Sequence, residues 1–314
     1  MKYMVGVDIG GMSVKFGLVD ENGSIITKKT VKTSKVPEIV ANDIVNIVNE
    51  ILVENSLSIN DIFGVGMGCP GMINTEKGTV DCWENLDWVD VPLVSMIKEK
   101  LNTNVKLSND ANLAILGESI WGSAKGYKNV VMLTLGTGVG GGVIIDGKLF
   151  EGCEGKGTEL GHMTLVKDGV YCNCGRKGCL EVYASATALM NQTKDAMLKD
   201  TNSLMWKLAD NDLNKVNGKI PFEASKQGDK TAISVVDKYV EYLSDGIMSF
   251  LNIFRPEIVL IGGGVSGAGD YLINKVVSYC EKYHYGMFKT PVPKIKCATL
   301  GNDAGILGAA CLVL

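Results

Sequence analysis

Two kinds of segment are missing from this sequence. There is no uninterrupted run of about 18 apolar residues, the length a helix needs to span a bilayer, and no basic amino-terminal stretch leading through an apolar run to a cleavage site. Neither membrane insertion nor export is therefore expected, and the expected location is the cytoplasm. Dense clusters of lysine and arginine are missing too. With a formal net charge of -4, the chain lacks the basic footprint of a nucleic-acid binder, so DNA and RNA are not expected partners. The Gly-Lys-Ser/Thr ending of a phosphate-binding P-loop is absent, which removes that chemistry. Histidine is scarce: with only two in the chain, the position of each one matters. What remains, 46% apolar and 21% charged residues over 314 positions, is an ordinary globular balance, enough for two domains with their own cores.

One of the two histidines lies in the most informative stretch. Glu159-Leu-Gly-His162 is followed by Cys172-Asn-Cys174-Gly-Arg-Lys-Gly-Cys179-Leu-Glu181. His162, Cys172, Cys174 and Cys179 supply the four soft or borderline donors of a closed, structural Zn2+ site. Gly175 and Gly178 let the backbone double back so that neighbouring thiolates aim at one ion. A metal there would hold Glu159 and Glu181 near one another. A redox pair, a disulfide knot, or a zinc that only stabilises a loop are the alternatives. Five other cysteines, Cys69, Cys82, Cys280, Cys297 and Cys311, lie in apolar or strand-like surroundings, where a reduced thiol packs as a small hydrophobe.

Along the chain, Tyr3 to Ile9 reads as a strand, Gly10-Gly11 as a turn, Val14 to Val19 as a second strand, and Glu21-Asn22-Gly23 as a hairpin turn. The pattern returns 126 residues on, from Asp20 to Asp146, in Val130 to Leu135, Gly136-Thr137-Gly138, Gly141 to Ile145 and Asp146-Gly147. The repeat suggests a duplicated domain. Helices are expected over 37–57, 91–101, 111–120, 185–210, 231–254, 271–283 and 302–314, the last packing back on the first domain, and strands over 62–69, 105–107, 258–261 and 295–298; 211–228 reads as a polar loop. The implied fold is α/β, two duplicated domains with sheets facing a cleft. The expected division is a smaller domain over 1–110, joined by 301–314, and a larger one over 111–300.

Three glycine turns follow apolar strands: Asp8-Ile9-Gly10-Gly11, Gly136-Thr137-Gly138 and Gly262-Gly263-Gly264. Each offers unobstructed backbone N–H groups to phosphate oxygens, although any one of them alone is as readily a plain turn. Asp8, at a strand end, suits a hydrated magnesium ion. Gly262-x-Gly264-x-x-Gly267 also matches a dinucleotide fingerprint, but the acid expected at a second strand's end is not there; Glu281 falls near the end of an expected helix. Asn109 and Asp110 close the 105–107 strand at the rim of a sheet, the usual ligand side. One of them suffices to cap the following helix. Asp110 is the candidate general base for transfer of a phosphoryl group to an alcohol. Asn109, Glu159, His162 and Glu181 together offer the several polar partners that a sugar's hydroxyls demand. The segment Thr75 to Asp90, with Trp83 and Trp88, reads equally as pocket wall, core or subunit interface.

These residues resemble those of the ROK sugar kinases, within the actin and hexokinase-like superfamily, and the likeness runs end to end. Asp8-Ile-Gly-Gly looks like the family's first phosphate motif, Cys69-Pro70-Gly71 its sugar-side turn, and Asn109-Asp110-Ala-Asn its catalytic segment. Leu135-Gly-Thr-Gly-Val-Gly-Gly-Gly looks like the second phosphate motif, Glu159-Leu-Gly-His162 with the cysteine array the zinc and sugar signature, and Ile261-Gly-Gly-Gly the nucleotide turn. The resemblance implies Asp110 as base; Gly71, Asn109, Asp110, Glu159, His162 and Glu181 as sugar ligands; and Asp8, Gly10, Gly11, Ser13, Thr137, Gly138, Gly263 and Gly264 around ATP with Mg2+. It implies His162, Cys172, Cys174 and Cys179 as Zn2+ ligands. The implied activity is phosphorylation of the 6-hydroxyl of an aldohexose, glucose first. Alternatives are N-acetylmannosamine, N-acetylglucosamine, fructose, allose or a β-glucoside, or a sugar sensor without catalysis. The implied assembly is a homodimer or homotetramer. One position departs: Met12 stands where the family usually has a threonine, with Ser13 beside it as a substitute hydroxyl.

Overall fold

The computed structural model describes residues 2–286 and 289–314. Contacts divide the chain into two compact units, one of Met1–Lys128, Gly142–Thr158 and Thr299–Leu314, the other of Asn129–Gly141 and Glu159–Ala298.

In the first unit, β1 (Tyr3–Ile9), β2 (Ser13–Val19) and β3 (Ile25–Lys32) form an antiparallel meander. β3 alternates half-buried and exposed residues, as an edge strand with one wet face should. α1 (Pro37–Glu54) begins on a proline, whose missing N–H costs nothing in a first turn, and buries Val40, Ile44, Val48 and Ile51 along one face. β4 (Ile62–Cys69) returns parallel to β1. A small antiparallel sheet follows, β5 (Met72–Asn74), β6 (Thr79–Trp83) and β7 (Trp88–Val91). It overlaps the Thr75 to Asp90 segment and shows what the tryptophans do. Both are core: Trp83 and Trp88 are 3% and 2% exposed, packed edge to face with ring centroids 5.4 Å apart. Then come α2 (Leu93–Leu101), β8 (Val105–Asn109), parallel to β4, and α3 (Asp110–Ile120). The sheet order is β3-β2-β1-β4-β8.

The second sheet has the order β11-β10-β9-β12-β13, from β9 (Val130–Leu135), β10 (Val139–Ile145) and β11 (Lys148–Leu149) with two later strands. The helices are α4 (Glu181–Ala184), α5 (Ala186–Lys199), α6 (Leu204–Leu208), α7 (Ile220–Lys226) and the long α8 (Lys230–Phe254). The single helix expected over 185–210 is broken: Asp200 leaves helical geometry and Ser203 caps a new start by accepting from Met205 N. Within the expected loop 211–228, Pro221 opens α7, which buries Ile220 and Phe222. β12 (Ile258–Gly262), α9 (Asp270–Tyr283) and β13 (Lys294–Cys297) follow, with β12 parallel to both β9 and β13.

The last helix, α10 (Ala304–Cys311), belongs to the first unit and packs on β1, β4 and α3. Glycines make this possible, since a Cβ on Gly6 would lie 2.0 Å from Ile306 O and one on Gly66 1.8 Å from Ala309 O. The entry to α10 is fixed by a buried carboxylate. Glu118, on α3, accepts from the backbone N–H groups of Thr299 and Leu300 at 2.7 Å each and from Ser123 N at 2.7 Å. Both five-stranded sheets are mixed, and the fold is α/β.

Candidate active site and metal centre

In the first unit, parallel pairing sets three strand ends side by side. Asp8 on β1 pairs with Gly68 on β4, and Cys69 on β4 pairs with Asn109 on β8. The carboxyl ends of parallel strands are where α/β folds place ligands. Asn109 does two jobs there. Its Oδ1 caps α3 by accepting from Ala111 N at 2.9 Å, and its Nδ2 donates to Gly71 O at 3.3 Å, tying the Cys69-Pro70-Gly71 turn to the helix start. Gly71 has φ of 96° and its position would bring a Cβ within 2.4 Å of Cys82 O, so only glycine fits this turn. Asp110 is exposed, in the first turn of α3, where the helix dipole favours a carboxylate. Burial pushes the Cys69 thiol up, and the carboxylates of Asp110 and Asp8 add to the shift, which puts both acids around one strand end.

Asp8 is met by a partner that sequence reasoning missed. Lys15, opposite it across the β1–β2 hairpin, places Nζ 3.3 Å from Asp8 Oδ2. Strand register brings them together, seven residues apart, a relation visible in the sequence only if the hairpin register is assumed. Gly305 lies against the same carboxylate; a Cβ there would come 2.7 Å from Asp8 Cγ. Gly10 and Ser13 close the turn through Gly10 N donating to Ser13 O at 2.9 Å, with Gly11 and Met12 exposed at its tip.

In the second unit, the donor atoms of His162, Cys172, Cys174 and Cys179 lie within 4.8 Å of one another. Cys172 Sγ is 3.7 Å from His162 Nδ1, and Cys174 Sγ is 3.6 Å from Cys179 Sγ. A tetrahedral zinc with bonds of about 2.3 Å to sulfur and about 2.0 Å to nitrogen sets its donors roughly 3.5–3.8 Å apart, so the set fits that ion. All nine cysteines are free thiols in this structure. The loop is shaped by glycine as its spacing demands: Gly175 and Gly178 have φ of 86° and 77°, and a Cβ on Gly178 would lie 1.7 Å from Val166 O. Nδ1 faces Cys172 Sγ, which leaves Nε2 of His162 for another partner.

Glu181 joins this loop to a glycine turn. Its Oε2 accepts from Val139 N at 2.9 Å, a Cβ on Gly138 would lie 2.2 Å from that oxygen, and its Oε1 is 3.7 Å from Cys172 Sγ. Ala186 N donates to Gly136 O at 2.9 Å and Thr187 Oγ1 to Thr137 O at 2.8 Å, so the start of α5 holds the same turn. The third glycine turn lies beside it: Gly263, with φ of 79°, backs onto Leu135, whose carbonyl oxygen a Cβ would approach to 2.5 Å. Gly263 and Gly264 are exposed at the end of β12. Glu159 is exposed as a residue, yet its carboxylate is crowded enough that desolvation holds it above the usual carboxylate range, with Glu181 adding and His162 opposing.

Comparison with known proteins adds what geometry leaves open. Residues 4–314 match the family model described as ROK family. The chain belongs to the ROK family. Among ROK relatives, a glucokinase from Thermotoga maritima is 39% identical over 99% of this chain and 96% of its own. A xylose repressor from Bacillus subtilis is 29% identical over 99% of this chain and 77% of its own. A solved ROK family glucokinase from Streptomyces griseus, in complex with glucose and AMPPNP, superposes with a TM-score of 0.83 at 32% identity, covering 99% of this chain and 98% of that one. Among the described residues, no helix of this ROK protein is long and apolar enough to cross a membrane.

Proposed function

We propose that this protein is an ATP-dependent sugar kinase that transfers the γ-phosphoryl group of ATP to the 6-hydroxyl of an aldohexose, glucose before others. The observation that carries the reading is full-length identity of 34–39% to glucokinases from Thermotoga maritima, Halalkalibacterium halodurans and Streptomyces coelicolor.

The chemistry asks for a base near the acceptor hydroxyl, amides around the phosphates and partners for the other sugar hydroxyls. Asp110 takes the hydroxyl proton; its exposed position at the start of α3 suits it to meet a ligand. Asn109 and Gly71 O contribute a donor and an acceptor beside it, already oriented by their mutual hydrogen bond. Glu159, the Nε2 of His162, and Glu181 bind sugar hydroxyls. Gly10, Gly11 and Ser13, and the paired turns at Thr137-Gly138 and Gly263-Gly264, present amides to the nucleotide. Asp8 would hold magnesium through its waters, and that ion would neutralise phosphate charge when bound. The His162, Cys172, Cys174 and Cys179 set would hold zinc as a scaffold, with no position left open for reaction. The architecture we assign is the duplicated actin and hexokinase-like one, because the two sheets share one strand order.

Relatedness to xylose repressors favours one second reading, a sugar sensor without turnover. Coupled ADP release with Mg-ATP against a panel of hexoses, wild type beside Asp110→Asn, separates the two. A kinase with Asp110 as base gives turnover, highest with glucose, and loses about 10²–10⁴-fold of kcat in the variant. Sugar binding without ADP release supports the sensor; an undiminished rate in the variant removes Asp110 as base.

A further inference from the structure

Residues Glu151 to Gly157 form a loop closed at its neck. Gly157 N donates to Glu151 O at 2.6 Å, and Gly152 and Gly157 approach so closely that a Cβ on the first would lie 2.9 Å from the Cα of the second. The loop is held by other elements of its own unit. Ser108 Oγ, on β8 just before Asn109, donates to Glu151 Oε1 at 2.5 Å, and Thr75 N donates to Glu154 O at 3.1 Å. Thr158 Oγ1 lies 3.3 Å from Asn112 Oδ1 on α3, and Lys156 adds a further tie: its Nζ lies 2.8 Å from Asp81 Oδ2 on β6 and 2.9 Å from Glu154 Oε2. Asp81 is itself held by Thr79 Oγ1, which donates to it at 2.5 Å.

What the ties restrain is an unfavourable backbone. Glu154 and Thr158 have φ of 58° and 61°, the left-handed region that a β-branched threonine adopts only when its surroundings impose it. Thr158 is followed directly by Glu159. An unrestrained loop would relax toward ordinary backbone and turn the chain that leads into Glu159-Leu-Gly-His162.

We infer that Lys156 is a positioning residue for sugar binding: its paired ion bridges to Asp81 and Glu154 hold the 151–158 loop in the strained shape that presents Glu159 to the sugar. The inference rests on the kinase reading above. Lys156 touches no reacting group, and both it and Asp81 are partly exposed, at 30% and 20% of their side chains. Ion pairs of this kind contribute little to global stability, so variants fold. The effect appears in binding geometry, where a misplacement of about 1 Å can cost up to about 10²-fold.

The test uses the full chain. Lys156→Met is expected to raise the glucose KM by about 10-fold with kcat changed by less than about 3-fold, Lys156→Arg to restore most of it, and Asp81→Asn combined with Lys156→Met to be no worse than the more damaging single variant. The wild-type KM rises between about 0.1 and 1 M salt as the bridges are screened, and that of Lys156→Met does not. A KM unchanged in Lys156→Met overturns the inference. Hydrogen exchange of the 151–158 amides supplies a readout independent of turnover: faster exchange in Lys156→Met is expected, and unchanged exchange overturns the clasp. Should the wild type phosphorylate no sugar while exchange still accelerates, the kinase reading fails and the sugar-positioning role falls with it, the loop restraint alone surviving.

Discussion

Met12 is 88% exposed at the tip of the first glycine turn, and its backbone carbonyl accepts from Thr33 N at 3.2 Å. A side chain so exposed can be exchanged without disturbing the core, so Met12→Thr isolates the missing hydroxyl. One added hydrogen bond to phosphate, worth about 1 kcal/mol, should lower the ATP KM about 5-fold with glucose KM and melting temperature unchanged; no gain would show that Ser13 already serves. At this scale the sequence speaks clearly where chemistry is local. Asn109 reads as a cap and is one, and His162 with the cysteines reads as a metal set and converges as one. It is silent where partners meet through space: nothing in the composition couples Glu181 to Val139 N, Lys15 to Asp8, or Lys156 to Asp81.

The loop that carries the cysteine array has almost no regular structure of its own. Between Leu160–His162 and α4 it is bracketed by the isolated bridges Thr164 to Cys179 and Tyr171 to Lys177 and by turns at glycine. A segment so poor in buried apolar side chains would depend on a metal held by His162 and the three cysteines, since structural zinc sites contribute on the order of 10 kcal/mol. Metal analysis is expected to find close to one zinc per chain. Chelation, or Cys174→Ser, should release the metal and weaken sugar binding at least about 10-fold, because Glu181 is tied to Cys172 and His162 belongs to the same donor set. Metal loss with unaltered glucose KM would make the loop a stabiliser alone. Among the elements, long periodic ones such as α1 and α8 are legible within a few residues. The sheet β5-β6-β7 is not, because its strands are three to five residues long and its apolar content, Trp83 and Trp88, reads the same in a core as at a surface. Likewise α7 hides in polar sequence because its first turn carries Pro221, a residue that announces either a loop or a helix start.

For the molecule as a whole, the repeat at 126 residues anticipates two sheets of one strand order. The unit boundaries are less legible, since the chain passes between units at 128/129, 141/142, 158/159 and 298/299, and the second of these crossings falls inside the strand β10. Sugar binding is read at this scale by linkage. Glucose at about 100 times its dissociation constant stabilises the folded chain by about 2.7 kcal/mol, which should raise the melting temperature by about 5 °C. The shift is expected to be smaller for sugars that are poor substrates; equal shifts across the panel would show that discrimination arises after binding.

The return of α10 to the first unit sets an order of events during synthesis. β1 and β4 emerge from the ribosome early, with Gly6 and Gly66 leaving a bare strip of backbone on one sheet face, and the helix that covers that strip is made only after the entire second unit. Non-local closure of this kind is slow and leaves early strands prone to wrong partners. Nascent chains stalled before Ala304 should therefore depend on chaperones, while chains that have emerged as far as Leu314 should release them as the helix docks.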